Sequence, residues 1–511
     1  MTKLDINSIA IIGAGPGGLA SLYEFLHTNK DGSSTVGGPA STNPRFSKIV
    51  AFEQKDKAGG IWAPSLDKAD LPVPPQDVLD TEKYNDPDVI HPRVPVPENL
   101  DGATKDKPVT LKENKELSEL EWRRSGVFPD LFTNIPARFT RFSYQDNEEK
   151  YLDKSRPIYP FLYHQELTGR FSNWIEKEKL YDHIRLNTTV EKVVKNAQGK
   201  WVITVREKNE ESGKENWYSE EFDAVVLSNG HYTVPNIPHI AGLAEYNKKH
   251  PGAIVHAKSY RKQEDFADKN VLVIGGGIST VNLLQYIVPI AKKTVNSKRG
   301  KNLVFDWIND ALISDGIVAK GEIEKIDPES GEVFFKDGTS EKDIDKIVLT
   351  TGYHYHYPFL TDYVEVVDPS NLSRVGGLYY NTFSVQDPTI GAVGVTVSTI
   401  NFHTIEASAA ALAGVWSGAK TLPTVQEQKK WEEDLIKERG NNLIFHYYTH
   451  DVVKEEYVDR LQQFYPNGRY NPLEFDGPFL PEIEVGIANL EKLFYGLKDK
   501  KLPKSATLLP Q

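Results

Sequence analysis

The sequence of 511 residues contains no cysteine. A chain without cysteine can form no disulfide framework, no thiolate metal site, no cysteine nucleophile and no redox-active dithiol. Long apolar runs are also missing, since none approaches the roughly 20 residues that span a bilayer. Residues 1–5 lead directly into an apolar strand and leave no room for a signal peptide. We therefore expect a cytoplasmic protein without a transmembrane segment.

Positive charge is scarce relative to negative charge. The chain has 60 Lys and Arg residues against 72 Asp and Glu residues, which gives a formal net charge of -12 at pH 7. Nucleic-acid binding depends on clustered cations that neutralise phosphates, so this composition argues against a nucleic-acid partner. The length and the hydrophobic content of 39% are ordinary for a soluble globular protein of two or more domains.

A glycine-rich turn follows the predicted strand Ile9–Ile12 and precedes a segment with helical spacing. The first glycine of such a turn allows the sharp bend, the second lets the backbone approach a pyrophosphate, and the third lets helix and strand pack closely. The N–H groups at the start of the helix then receive the anion. The predicted cofactor-binding residues of this turn are Gly13, Gly15, Pro16, Gly17 and Gly18.

An acidic residue at the end of the next strand usually binds ribose hydroxyls. Glu53 ends the predicted strand 48–53, later than the usual spacing because the Gly-, Ser-, Thr- and Pro-rich residues 31–44 intervene. We therefore predict that Glu53 binds the dinucleotide. The alternatives are a turn used only for packing and a Glu53 that is merely a solvated strand end.

A second glycine turn follows the predicted strand Asn270–Ile274. Gly275 and Gly277 fit the phosphate-binding pattern, and Ser279 lies at the start of the helix. Thr280 occupies the third glycine position, so we expect helix and strand to lie slightly further apart there. All four residues are predicted to bind a second dinucleotide.

The next strand of this unit is followed by Ser297, Lys298 and Arg299, with no acidic residue among them. An acid at this place would repel a 2′-phosphate, whereas a hydroxyl and two cations would bind one through charge-assisted hydrogen bonds. These residues therefore predict NADPH rather than NADH. The alternative is a loop whose basic residues are simply solvated.

The two turns together predict an α/β protein with two dinucleotide-binding, Rossmann-like domains. We place the first part of an FAD-binding domain at residues 1–234, an inserted NADPH-binding domain at 235–351, and the second FAD-binding part with a C-terminal helical region at 352–511. Residues 64–115 are predicted to be irregular and residues 184–205 to form antiparallel strands. The alanine-rich residues 404–416 are predicted to form a buried helix.

Several motifs occur in an order that resembles the flavin-containing monooxygenases, in particular the fungal-type class B flavoprotein monooxygenases. Gly60, Ile61 and Trp62 resemble the family's GGxW segment, and Thr133 and Asn134 its TNxP segment. The remaining segments similar to the family are 228–232, 251–261, 349–353 and 387–418. The resemblance implies that NADPH reduces FAD, that O2 adds to the flavin C4a carbon, and that the hydroperoxide oxygenates a nitrogen or sulfur nucleophile.

The resemblance also implies roles for single residues. Asn134 is implied to be the catalytic side chain beside the flavin, Gly60, Ile61, Trp62 and Thr133 are implied to bind the cofactor, and His256 and Tyr260 are implied to pack the domain interface. Asn134 could instead be a turn or cap residue, and Trp62 a core aromatic. His250 and Thr280 depart from the family pattern. His354 and His356 lack a carboxylate partner nearby in the sequence, so we predict no metal site.

Other functions share this layout. A disulfide reductase needs cysteine and is excluded, whereas a Baeyer–Villiger monooxygenase, an N-hydroxylating monooxygenase and a non-catalytic NADPH-binding regulator remain open. The expected partners are a small-molecule substrate and O2. Neither the physiological substrate nor the oligomeric state can be predicted from these motifs.

Overall fold

The computed structural model describes residues 4–367, 374–474 and 477–510. Its first sheet has seven strands, in which both the early and the late parts of the chain take part. Five neighbouring strands run parallel, and an antiparallel pair extends the edge. In spatial order the strands are Leu378–Tyr379, Phe383–Ser384, Ile390–Ala392, Ala224–Leu227, Ser8–Ile12, Lys48–Phe52 and Ile184–Arg185.

The helices Pro16–Leu26 and Asn401–Trp416 pack against each other beside this sheet. The second of them confirms the predicted buried helix and begins three residues earlier than expected. Its five alanines at 407, 409, 410, 411 and 413 are fully buried. Small side chains on every face let neighbouring elements approach it closely, and a Cβ at Gly414 would lie 1.9 Å from the Phe464 carbonyl oxygen. The helix is therefore a central part of the core.

The second sheet has five parallel strands, all from the middle of the chain. In spatial order they are Ile254–His256, Lys346–Leu349, Asn270–Ile274, Lys293–Ser297 and Val318–Lys320. The helices Ile278–Ile287 and Asp306–Ala311 belong to this unit. The strands Ile323–Ile326, Val333–Phe335 and Ser340–Glu341 form a small antiparallel sheet, which lies in the sequence between the last two strands of the unit. A second parallel sheet inserted between strands of the first confirms the predicted fold class.

The chain crosses between the two sheets twice at one place. Val234–Pro235 and Tyr353–His354 pair there as a two-stranded antiparallel ribbon. The helix Leu480–Lys498 makes a further connection, since Ile483 lies in the apolar cluster of the first unit and Leu490 in that of the second. The two sheets are thus joined both by the ribbon and by a helix that reaches both cores.

A four-stranded antiparallel sheet is formed by Val109–Lys112, Lys214–Phe222, Trp201–Asn209 and Thr188–Lys195. It confirms most of the antiparallel prediction for residues 184–205. That prediction is wrong for Ile184–Arg185, which pairs in parallel with the strand Lys48–Phe52. The irregular prediction for residues 64–115 is wrong at Val109–Lys112, an edge strand whose pairing partner lies about one hundred residues away in the chain.

The remaining elements are short or peripheral. The helices are Gln76–Leu79, Pro87–Ile90, Lys115–Glu119, His164–Lys177, Leu243–Lys249, Val425–Arg439 and Asp459–Gln462, and the strand pairs are Glu365–Val367 with Arg374–Gly376 and Val397–Ser398 with Tyr447–Tyr448. None of the helices in the described part of the chain is long and apolar enough to cross a membrane.

Candidate active site

A cavity of about 680 Å³ extends from the first glycine turn to the second. Most of the predicted site residues line it, although they are far apart in the sequence. They are Gly13, Gly15, Pro16, Gly17, Glu53, Gly60, Ile61, Trp62, Thr133, Asn134, Gly277 and Ser279. The structure therefore brings both turns and the Asn134 segment to one continuous space.

The first turn is so tight that its glycines cannot carry side chains. Gly13 has a φ of +93°, and a Cβ there would lie 2.7 Å from the Ser228 carbonyl oxygen. A Cβ at Gly18 would lie 1.9 Å from the Gly13 carbonyl oxygen, as expected of a residue that lets helix and strand touch. The helix Pro16–Leu26 begins after Gly15 without a side-chain cap. Its first N–H groups are therefore available to an anion.

Glu53 is buried beside this turn rather than solvated. Only 4% of the residue is exposed, and its carboxylate accepts hydrogen bonds from the Ala14 N–H (2.9 Å) and the Lys55 N–H (3.0 Å). These bonds fix the side chain and leave each oxygen a second lone pair toward the cavity. The carboxylate can thus accept hydrogen bonds from hydroxyl groups of a ligand.

Beyond Glu53 the cavity wall is a buried ion-pair network. The Arg206 guanidinium, in a residue only 1% exposed, donates to Glu121 (2.6 Å), Glu191 (2.7 Å) and Glu215 (2.7 Å). Arg206, Glu121 and Glu191 line the cavity. Sequence reasoning missed this group, because its members lie on separate strands and on a loop, and no local spacing relates them.

Asn134 faces the cavity from a turn that is held in place by its neighbour. The Thr133 hydroxyl accepts a hydrogen bond from the Leu162 N–H (3.0 Å) and donates one to the Ile135 carbonyl oxygen (2.9 Å). The Asn134 amide has no hydrogen-bond partner within the described residues, so the structure does not use it as a cap. The half-buried Asn134 amide is therefore able to form hydrogen bonds with a ligand bound in the cavity.

Thr280, which the sequence predicts to bind the cofactor, lies behind the second turn and does not line the cavity. The residue is fully buried, and its hydroxyl lies 2.8 Å from the Thr350 hydroxyl. The same oxygen accepts a hydrogen bond from the Gly277 N–H (3.2 Å). Gly275, with a φ of +145°, also packs on Thr350. The hydroxyl thus stabilises the turn from within, which local motif spacing could not reveal.

The predicted phosphate-binding residues at 297–299 border the second turn but do not line the cavity. Ser297 is buried and donates its hydroxyl hydrogen to the Gly321 carbonyl oxygen (2.8 Å), so that hydrogen is not available to a phosphate. Lys298 lies against Gly276, and Arg299 is exposed. The cavity wall next to them includes Asn302, which sequence reasoning missed.

The other predicted residues have mainly structural contacts. His256 is buried, lies with Nε2 3.0 Å from the Gly352 carbonyl oxygen and accepts the Lys258 N–H at Nδ1 (3.2 Å). Tyr260 packs edge-on against Phe128. His250 is exposed at the end of its helix.

Two histidines, one in the second crossing and one just after it, contact residues 85–91 at the cavity. His356 Nε2 lies 2.9 Å from Asp88, and the Nδ1 atoms of His356 and His91 are 3.1 Å apart. His354 Nε2 lies 2.9 Å from the Asn85 side-chain oxygen. Among the described residues, no group of His, Cys, Asp and Glu side chains could hold a metal ion.

Comparison with known proteins identifies the family. Residues 124–318 and 298–467 match the model of a family described as flavin-binding monooxygenase-like. The chain belongs to this family. It is an FAD-dependent oxidoreductase that uses NADPH and O2. Two dinucleotide cofactors agree with the two glycine turns at the cavity, of which we call the turn at 13–18 the first cradle and the turn at 275–280 the second cradle.

Relatives of this monooxygenase occur in fungi, bacteria and plants. A flavin-containing monooxygenase of Aspergillus flavus is 26% identical over 495 residues, covering 89% of this chain and 92% of the relative. A trimethylamine monooxygenase of Methylocella silvestris is 26% identical over 425 residues, covering 82% and 76%. The structure of S-allyl-L-cysteine S-oxygenase from Allium sativum superimposes with a TM-score of 0.66 at 22% identity, covering 98% of this chain and 95% of that one.

The residues present in the monooxygenase fit both cofactors. Gly15 and Gly60 approach each other so closely that a Cβ at Gly60 would lie 2.8 Å from the Gly15 Cα atom, which leaves backbone rather than side chains around the first cradle. At the second turn, a Cβ at Gly277 would meet nothing within 4 Å. At both helix N-termini the backbone N–H groups can be reached without obstruction by side chains, and such groups bind the pyrophosphate of a dinucleotide.

Replacing Gly18 with alanine is expected to weaken FAD binding by about 10- to 100-fold, because overpacking of this kind costs ~1–3 kcal/mol. The added methyl group would collide with the Gly13 carbonyl oxygen and displace the helix that carries the cradle. Titration of FAD into the apoprotein, followed by fluorescence, measures the affinity. Gly169→Ala is the matched control, since a Cβ there meets nothing within 4 Å. Equal affinity of the Gly18→Ala and wild-type proteins would contradict this role.

Proposed function

We propose that this enzyme transfers one oxygen atom from O2 to the nitrogen or sulfur of a small molecule. Two relatives support this substrate class, since one is named for trimethylamine and the other for the sulfur of S-allyl-L-cysteine. The overall change consumes NADPH, a proton, O2 and the substrate, and it yields NADP⁺, water and the oxygenated substrate. The single observation that carries the proposal is the continuous cavity that both glycine turns and Asn134 line.

Bound FAD supplies the redox chemistry, and the protein has to bind, orient and protect the reacting groups. We assign FAD to Gly13–Gly17, Glu53, Gly60–Trp62 and Thr133–Asn134, and NADPH to the turn at Gly277 and Ser279. Asn134 can donate a hydrogen bond without giving up a proton, because an amide is not an acid at neutral pH. It would thus orient a reactive oxygen without protonating it.

Two histidines of the cavity wall are neutral at pH 7. Burial lowers the pKa of His231 to about 4, and burial together with the neighbouring His356 lowers the pKa of His91 to about 3. A neutral imidazole is a much weaker acid than an imidazolium ion. His231 and His91 therefore do not readily donate a proton into the cavity, which supports a reaction in which the reactive oxygen must not be protonated.

We also propose the domain bounds 1–234, 235–351 and 352–511. The ribbon of Val234–Pro235 with Tyr353–His354 supports both boundaries, because the chain passes there from one sheet to the other. We propose a cytoplasmic location as well. A small-molecule substrate and O2 are the proposed partners, and the acidic composition supports the absence of a nucleic-acid partner.

The test is turnover by the FAD-loaded enzyme with a thioether, a tertiary amine and a cyclic ketone. NADPH consumption, O2 uptake and product mass are measured for each compound. Sulfoxide or N-oxide formed in proportion to NADPH is the expected result. Lactone formation alone would favour the Baeyer–Villiger alternative, and a primary-amine substrate that yields only its hydroxylamine would favour the N-hydroxylating one. NADPH binding without O2 uptake for any compound would overturn the proposal.

Replacing Asn134 with alanine is expected to lower the oxygenated product formed per NADPH by about 100-fold, since a lost donor at a reacting oxygen costs ~10²–10³ in rate. NADPH oxidation should continue and release hydrogen peroxide instead. Product and peroxide are quantified in the same reaction. Asn489→Ala is the control, because Asn489 is half-buried like Asn134 but does not line the cavity, and this variant should remain coupled. Unchanged coupling in Asn134→Ala would remove Asn134 from the mechanism.

A further inference from the structure

The loop 298–305 is tied to the second glycine turn by one side chain. Asn302 donates from Nδ2 to the Gly276 carbonyl oxygen (2.9 Å). Its Oδ1 atom accepts hydrogen bonds from the Val304 N–H (2.9 Å) and the Phe305 N–H (2.8 Å). Asn302 thus connects the loop to the turn through its Nδ2 atom, and its Oδ1 atom fixes the backbone of the loop.

A second asparagine fixes the other side of the same loop. Asn309, on the helix Asp306–Ala311, accepts the Asn302 N–H (2.8 Å) at Oδ1 and donates from Nδ2 to the Asn302 carbonyl oxygen (3.0 Å). The same Oδ1 atom lies 3.4 Å from Lys298 Nζ. The backbone of Asn302 is therefore held from the helix while its side chain is held by the turn.

The loop gathers positive charge next to the turn. A Cβ at Gly276 would lie 3.3 Å from the Lys298 Cβ atom, so the Lys298 stem runs along the turn. Lys298, Arg299 and Lys301 form no ion pair with any carboxylate in the described part of the chain. Partial burial and the neighbouring Lys301 lower the pKa of Lys298, although Asp310 acts in the opposite direction. Because no carboxylate among the described residues pairs with these three cationic side chains, they are available to bind an anionic group of a ligand.

We propose that Asn302 is a positioning residue that sets the preference for a 2′-phosphorylated dinucleotide. It keeps the loop that carries Lys298 and Arg299 beside the turn, where the 2′-phosphate of NADPH would lie if the turn binds the pyrophosphate. The inference rests on the proposed function only in its assignment of NADPH to this turn. It also explains why Val304 and Phe305 line the cavity, since their N–H groups are held by the same side chain.

The experiment measures binding to the FAD-loaded full chain, without turnover. The probes are adenosine 2′,5′-bisphosphate and AMP, which differ by the 2′-phosphate, and calorimetry gives both affinities. The wild type is expected to prefer the bisphosphate, and Asn302→Ala should reduce that preference at least tenfold while the AMP affinity stays within twofold. The ratio of kcat/KM for NADPH to that for NADH should fall in parallel.

Three further variants sharpen the test. Leu303→Ala is the matched control, because Leu303 belongs to the same loop, is 76% exposed and does not line the cavity. It should bind both probes like the wild type. Asn302→Asp keeps the acceptor for Val304 and Phe305 but loses the donor to Gly276, so it should lose the preference as well. Asn309→Ala replaces Asn302→Ala if that variant does not fold, and it should also reduce the preference.

The proposal is overturned if the folded Asn302→Ala protein keeps the wild-type preference, or if its affinities for both probes fall together. It is also overturned if the wild type binds the two probes equally. A wild type that prefers the bisphosphate but oxygenates neither an amine nor a thioether would refute the proposed function and leave this assignment standing.

Discussion

Lowering the pH from 6.5 to 4.5 is expected to remove about 7 kcal/mol from the free energy of unfolding, because each of three buried histidines approaches a dependence of about 1.4 kcal/mol per pH unit below its ordinary pKa. His256, His403 and His446 are at most 2% exposed, and burial lowers the pKa of each to about 3. In the unfolded chain these groups titrate near their ordinary value of about 6.5.

The sign follows from proton binding. Between about pH 6.5 and 3 the unfolded chain binds protons at these histidines and the folded protein does not, so acid favours unfolding. The stability they contribute is nearly complete above about pH 7.5 and falls as the pH is lowered. Because typical domains are stable by only ~5–15 kcal/mol, the protein should unfold near pH 5.

Urea unfolding at a series of pH values from 7.5 to 5 measures this dependence. His403→Phe removes one titrating group from an apolar setting beside Phe139 and should reduce the slope by about a third of the histidine contribution, that is by about 1.4 kcal/mol per pH unit. A free energy of unfolding that stays constant from pH 7 to 5 would show that these histidines are protonated in the folded state.

Arg469→Met is expected to lower the free energy of unfolding by about 3–5 kcal/mol, since it leaves buried charges without their partner. Arg469, Glu24 and Glu406 have fully buried side chains. The guanidinium donates to Glu24 at 2.9 Å and 3.0 Å and also to Glu406, which accepts the Ser143 N–H as well (2.7 Å). Methionine fills much of the space but leaves two carboxylates in the core.

The same ion pairs join the helix Pro16–Leu26, which carries the first cradle, to the helix Asn401–Trp416 and to the segment that contains Arg469. FAD affinity should therefore fall together with stability. Denaturant unfolding and FAD titration test both effects. Arg460→Met, at an exposed site in the same region, is the matched control and should change neither quantity. Adding Glu24→Gln and Glu406→Gln to Arg469→Met should restore part of the stability, and no restoration would contradict the electrostatic cause.

The features that could be predicted from the sequence are those that depend on a short segment alone. Both glycine turns, Glu53 and the Asn134 segment could be located, because their chemistry depends on neighbours within a few residues. The hydroxyl of Thr280 and that of Ser297 could not be assigned, since their partners Thr350 and Gly321 are brought close only by folding. The ion pairs of Arg206 could not be predicted for the same reason, because their members are far apart in the sequence.

Pairing over long distances also explains the errors in secondary structure. Val109–Lys112 is a strand only because the edge of the sheet at 214–217 is available to it, and Ile184–Arg185 is parallel because it follows a helix and returns to the first sheet. Residue preferences within such short segments do not distinguish these outcomes.

The helix Leu480–Lys498 has a mechanical consequence. A chain that crosses twice at a single ribbon would allow the two sheets to swing about that point. The helix, 19 residues and therefore about 28 Å long, reaches both cores away from the ribbon. Swinging would have to pull either Ile483 or Leu490 out of its apolar surroundings, so the helix restricts the motion of the two cradles relative to each other.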